Sequence, residues 1–123
     1  MRAAVLVAPG KLEVQDVPDL EIGPGEVLIR NTVSGICGSD LHLYSGSLPD
    51  IMPRILGKVL GHELCGEVVA IGPGVTNVKV GDRVAVEPLL ACDHCVDCQV
   101  GDYHLCPELQ HIGIGWSGGF GEY

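Results

Sequence analysis

Residues 61–75 read GHELCGEVVAIGPGV, and the way that stretch divides decides the fold. Leu64 to Ile71 is an apolar run rich in Val and Ile, with the length and composition of a half-buried strand. Gly72-Pro73-Gly74 closes it as a turn, while Gly61-His62-Glu63 stands ahead of it with an imidazole and a carboxylate side by side. Similar runs occur on either side, at Ala3 to Val7, Leu12 to Val17, Val27 to Val33 and Arg83 to Val86. Pro9-Gly10, Gly23-Pro24-Gly25 and Gly81-Asp82 separate them, so the 18 glycines and 8 prolines act as punctuation between strands. The pattern predicts a mostly antiparallel β domain or distorted barrel. It predicts one short helix, from about Ser39 to Tyr44, with Ser39 as its N-cap. Ile55-Leu56-Gly57 and Val59-Leu60-Gly61 echo each other without forming a repeat.

At 123 residues the chain has room for one domain, residues 1–123, and none for two. Surface scaling gives ~6,300 Å² folded against ~18,700 Å² unfolded, enough for one core. Seven basic and sixteen acidic residues leave a net charge of −9, which repels phosphate backbones and anionic lipid and argues against nucleic-acid or membrane partners. An apolar content of 46% excludes a disordered chain. No run approaches the ~20 apolar residues of a membrane helix, and Ala3 to Ala8 is shorter than a signal-peptide core. The expectation is a soluble, cytoplasmic protein with reduced thiols. Tyr123 falls inside another strand-like approach, so the chain is expected to be cut there.

Four of the six cysteines lie within fifteen residues, in the form CxxCxxCx7C at Cys92, Cys95, Cys98 and Cys106, while Cys37 and Cys65 stand alone. CxxC turns let two sulfurs face one point, and four thiolates at ~2.3 Å satisfy tetrahedral Zn²⁺ with no open position. Such a site is structural, and it staples a loop that has little apolar surface of its own to bury. Two alternatives stay open. Disulfides suit an oxidising compartment. An iron–sulfur cluster suits the Cys106-Pro107 ending, although the bacterial ferredoxin run has three residues before its last cysteine instead of seven. His94 and His104 could each replace a sulfur, but four thiolates saturate the ion, so both read as loop residues.

The second constellation is dispersed: Cys37-Gly38-Ser39-Asp40-Leu41-His42, then Gly61-His62-Glu63. A lone cysteine with a distant histidine is most often a buried thiol and a satisfied imidazole. The neighbouring residues add the information. Gly61 to Val75 fits GHExxGx5[GA]xx[IVSAC] at Gly61, His62, Glu63, Gly66, Gly72 and Val75; GDRV at Gly81 to Val84 and the cysteine ladder follow in order. On these residues the chain resembles the N-terminal, GroES-like catalytic half of the medium-chain, zinc-dependent alcohol dehydrogenases over nearly its whole length.

That resemblance implies a mainly β, GroES-like distorted antiparallel barrel with short helices and a zinc-stapled loop over residues 91–107. It implies Cys37 and His62 as ligands of a catalytic zinc, with Glu63 beside the metal as an intermittent ligand. Asp40 would orient the His62 ring through its other nitrogen, Ser39 would hydrogen-bond the alcohol, and His42 would pass the proton to solvent. Cys92, Cys95, Cys98 and Cys106 would hold the structural zinc. The implied activity is hydride transfer between a secondary alcohol or polyol and NAD(P), in full-length members that are usually homo-oligomeric. GGFGEY at Gly118 to Tyr123, which is similar to the family's GGFAEY, together with VEPLLAC and a GxGW stretch, leans toward the polyol branch with butanediol, sorbitol and threonine dehydrogenases.

Gly113 to Gly118 spells GxGxxG, but that fingerprint needs a preceding strand, a following helix and an acidic residue ~20 positions on, so these glycines read as turn residues. The nicotinamide-binding domain and a third protein ligand of the catalytic zinc are expected beyond Tyr123. The isolated chain is therefore expected to bind about one tight zinc and not to turn over alcohol. Lys58 is expected to face solvent, Trp116 and Phe120 to be core or pocket-wall aromatics, core by preference, and Cys65 to be a buried thiol. Two other readings remain: a non-catalytic zinc-binding domain and an iron–sulfur electron carrier.

Overall fold

Odd and even positions of the first strand, β1 (Arg2–Ala8), serve two different cores. Ala3 and Val5 pack with Val59 on one face, and the fully buried Leu6 packs with Leu43, Met52, Ile55 and Leu60 on the other, as the period of two requires. Phe120 touches both clusters. In this computed structural model, which covers residues 1–123, β1 pairs antiparallel with β2 (Lys11–Asp16). The central sheet has the order β3 (Val27–Gly35), β4 (Glu63–Ile71), β5 (Arg83–Ala85), all antiparallel. A third small sheet pairs β6 (Leu89–Leu90) with β7 (Gln110–His111).

No continuous ladder joins the three sheets; β1 instead makes single bridges to residues outside the named strands. Ala3 pairs with Gly121 and Val5 with Val59. The GGFGEY segment is the stitching: the Ala4 N–H donates to Phe120 O, the Asn31 N–H to Glu122 O, and the Phe120 N–H to Leu60 O. Those bonds tie β1, β3 and the approach to β4 together. The sequence-predicted strands recur with shifts of a residue or two at their ends.

The first helix, α1 (Gly38–Ser45), is capped by Cys37 and not by Ser39. The Asp40 carboxylate reaches back to accept the Cys37 N–H at 2.9 Å, so the start is fixed by a carboxylate three positions on. Gly46, at φ 74°, ends the helix in the left-handed region. Two further short helices, α2 (Met52–Ile55) and α3 (Val96–Val100), and a 3₁₀ turn at Tyr103–Leu105 complete the chain.

Several burial expectations are corrected. Accessible surface is 7510 Å², above the ~6,300 Å² of the scaling estimate, and 17 residues are buried. Trp116 is 53% exposed and belongs to no core, and Cys65 is half-buried. Lys58 is also half-buried, with Nζ donating to Gly115 O at 3.2 Å. No helix is long and apolar enough to cross a membrane.

Candidate metal centres

The cysteine ladder closes on itself. The sulfurs of Cys92, Cys95, Cys98 and Cys106 all lie within 4.8 Å of one another. Four thiolates at about 2.3 Å from a tetrahedral ion stand about 3.8 Å apart. Cys95 Sγ to Cys98 Sγ is 3.4 Å and Cys92 Sγ to Cys98 Sγ is 3.9 Å, which suits one shared ion and is far from a disulfide bond. Backbone N–H groups already point at the sulfurs: Cys95 donates to Cys92 Sγ at 3.4 Å and Cys92 to Cys106 Sγ at 3.5 Å. The His94 backbone N–H is the main influence that pulls the Cys92 thiol down to about 6, whereas burial pushes Cys98 up to about 12. Sulfurs this crowded resist carrying four charges together, and a divalent cation removes the conflict. His94 is not aimed at the metal position with Nδ1, which donates to the Cys92 carbonyl at 2.6 Å.

The second centre is assembled by the fold. Cys37 sits where β3 passes into α1; His62 and Glu63 open β4, and the antiparallel register sets Gly35 opposite Glu63. That register brings ligand atoms of Cys37, His62 and Glu63 within 4.8 Å of one another. Glu63 lies close over the neighbouring strand because residue 35 is glycine: a Cβ there would stand 2.6 Å from Glu63 Oε2. Behind His62, which is 8% exposed, lies Asp40, 4% exposed, with Oδ1 3.5 Å from His62 Nδ1. Neither atom has another partner. A carboxylate there favours the tautomer with hydrogen on Nδ1, which leaves the Nε2 lone pair free to bind a metal. Ser39 Oγ lies 3.4 Å from that Nε2. One soft sulfur, one imidazole nitrogen and one carboxylate form a donor set that suits zinc and leaves room for a further ligand. His42 is exposed on α1, with Nδ1 3.3 Å from Ser47 Oγ.

Gly61 explains how His62 is held. It adopts φ 93°, and a Cβ there would collide with the Phe120 ring at 2.5 Å. Gly113 packs onto Gly61 from a second side, since a Cβ at residue 113 would lie 2.8 Å from Gly61 O, and Gly118 also abuts the Gly61 carbonyl. The GxGxxG run is thus a packing device behind His62, with no helix after it. No sequence motif marks His111, yet its ring lies 5.1 Å, centroid to centroid, from that of His62, edge to face at 78°.

Fold and geometry together define a mainly β domain with two groups of metal-ligating side chains. The family profile described as "Alcohol dehydrogenase GroES-like domain" matches residues 23–123, and the chain belongs to that family. It is 48% identical over 115 residues to an L-threonine 3-dehydrogenase of Streptomyces avermitilis, covering 94% of this chain and 33% of that protein. It is 43% identical over 114 residues to a sorbitol dehydrogenase of Bacillus subtilis, covering 91% of this chain and 32% of that protein. A cobalt- and zinc-bound thermostable alcohol dehydrogenase from Pyrobaculum aerophilum superposes with a TM-score of 0.87 at 36% identity, over 99% of this chain and 37% of that one. The chain spans about a third of the length of the curated relatives it matches.

Proposed function

We propose that residues 1–123 form the metal-bearing catalytic domain of a zinc-dependent, NAD(P)-linked dehydrogenase that interconverts a secondary alcohol or polyol and its carbonyl product. One observation carries the proposal: Cys37, His62 and Glu63, from distant parts of the chain, converge within 4.8 Å, with the buried Asp40 carboxylate behind His62. Membership of the family and the named relatives support it.

Cys37, His62 and Glu63 would hold the catalytic ion, and Cys92, Cys95, Cys98 and Cys106 a structural one in the lobe 91–107. A zinc ion held by Cys37, His62 and Glu63 would supply a Lewis acid that polarises the alcohol C–O group and eases loss of its proton near neutral pH. Asp40 fixes the His62 tautomer. Ser39, at the edge of His62, takes up the hydroxyl proton as it gives its own hydroxyl hydrogen to a bridging water. His42, three residues on along the same face of α1, accepts a proton from that water and releases one to solvent. A nicotinamide cofactor, when bound, would supply the acceptor for the hydride. The proposal includes a reducing, cytoplasmic setting, a small alcohol as partner without nucleic acid or membrane, and a homo-oligomeric full-length enzyme.

The test is turnover by the full-length protein that carries this segment, with NAD and NADP and a panel of secondary alcohols and polyols. Cys37→Ser is expected to abolish oxidation while the four-cysteine zinc remains bound. Retention of activity in Cys37→Ser would contradict the assignment. Absence of oxidation by the intact protein across the panel would favour a binding domain instead, and visible charge-transfer absorbance would favour iron on the ladder.

A further inference from the structure

His111 is held more firmly than a passive wall residue needs to be. Its backbone closes β7 opposite Leu89, and its carbonyl accepts the N–H groups of Ile114, Gly115 and Trp116 at 3.1, 2.8 and 3.3 Å. The turn that follows is pressed onto Gly61, the residue before His62. The side chain is pinned as well, since Nδ1 lies 2.6 Å from Ile112 O. A carbonyl oxygen can only accept, so Nδ1 carries the hydrogen and Nε2 of the neutral ring carries a lone pair. That Nε2 has no partner within the chain and is not among the fully buried polar atoms left without one, so part of it is accessible on a half-buried ring. The ring that bears it stands edge to face with His62 at 5.1 Å.

We propose that His111 is a specificity-determining residue of this site: its Nε2 accepts a hydrogen bond from a donor, a hydroxyl or an ammonium, on the carbon next to the one that is oxidised. The inference rests on the dehydrogenase reading above and deepens it. An acceptor fixed in advance at its backbone and at Nδ1 loses little freedom when it binds, so it discriminates between a substrate that offers a donor and one that lacks it. A monohydric alcohol leaves Nε2 to water, whereas a vicinal diol or amino alcohol satisfies it.

The full-length holoenzyme is assayed with propane-1,2-diol and propan-2-ol, which differ by one hydroxyl. His111→Phe keeps an aromatic ring against His62 without an acceptor. It is expected to raise the KM for the diol about ten-fold and to leave propan-2-ol within about two-fold, as loss of one hydrogen bond predicts. His111→Gln, which places a carbonyl at the reach of Nε2, is expected to recover part of the loss. A readout independent of turnover is the long-range ¹⁵N–¹H spectrum of histidine-labelled holoenzyme. It should show the Nδ1–H form of His111 and an Nε2 shift on adding the diol but not propan-2-ol. Equal losses on both substrates, or an unmoved Nε2 resonance, would overturn the role given to His111. Failure of the wild-type enzyme to oxidise either alcohol would instead overturn the dehydrogenase reading on which it rests.

Discussion

The two donor groups are built in opposite ways. In the ladder, all four sulfurs come from fifteen consecutive residues around a five-residue helix and a 3₁₀ turn, and the only buried residue among them is Cys106 itself. The Cys37–His62–Glu63 group draws on two distant segments that meet because β3 and β4 pair and because Leu43 and Leu60 lie in one core. A loop of the first kind has little apolar packing to hold it, so a bound ion would determine its fold. In the second kind the core is formed without the ion, and the fold determines the site. Metal ligation can therefore be a source of stability in one place and a consequence of it in another.

Perturbing the ladder should give the largest effect. Stripping metal with a strong chelator would remove a binding energy of about 10–16 kcal/mol from residues 91–107, and replacing Cys98 with Ser would remove much of it. Amide hydrogen exchange should show that lobe losing protection while β1, β3 and β4 keep theirs. Collapse of the whole domain would mean the two regions are not independent.

The reverse perturbation is Leu60→Ala, which empties a fully buried position two residues before His62. It should cost about 2–5 kcal/mol of global stability in denaturant titration. Metal affinity should fall at the second centre and stay unchanged at the ladder. A smaller and more local change is Asp40→Asn, which keeps the shape but loses the charge facing His62 Nδ1. Zinc affinity at the second centre is expected to drop about 10–100-fold by competition with a chromophoric chelator, again without effect on the four-sulfur site.

The smallest effect lies on the surface, away from either centre. The Arg2 backbone N–H and guanidinium hold the Glu122 carboxyl below its ordinary value of 4.5. A carboxyl depressed on folding stabilises above its unfolded value and stops doing so as pH falls through the folded one. Glu122→Gln should thus flatten the acid limb of the stability profile slightly, with no change near pH 7 in the lobe's protection. The pair is exposed and solvent-screened.

The same division explains what the sequence makes legible. Strand positions follow from alternation and turn residues, and the ladder from CxxC spacing, because both are local rules. The pairing of Cys37 with His62 is tertiary, and it becomes visible only through the resemblance of the GHE stretch to a known family. Ser39 looks like an N-cap because its hydroxyl suits that role, but the cap is decided by the Asp40 carboxylate capturing a backbone N–H, which side-chain preference at a single position does not encode. Pro53 signals the start of α2 weakly, and α3 is too short and too exposed to carry a periodic pattern. Trp116 reads as core by residue type and lies outside because the turn it belongs to is fixed by His111 O. His111 carries no motif at all, since its contact with His62 depends on how the third sheet folds over Gly61.

Cobalt titration of the metal-free protein, followed by its absorption spectrum, tests the contrast most directly. Two successive environments are predicted: a tight all-thiolate one that Cys98→Ser removes, and a weaker one with a single thiolate that Cys37→Ser removes. A single environment, or a second one that survives loss of the Cys37 sulfur, would contradict the account.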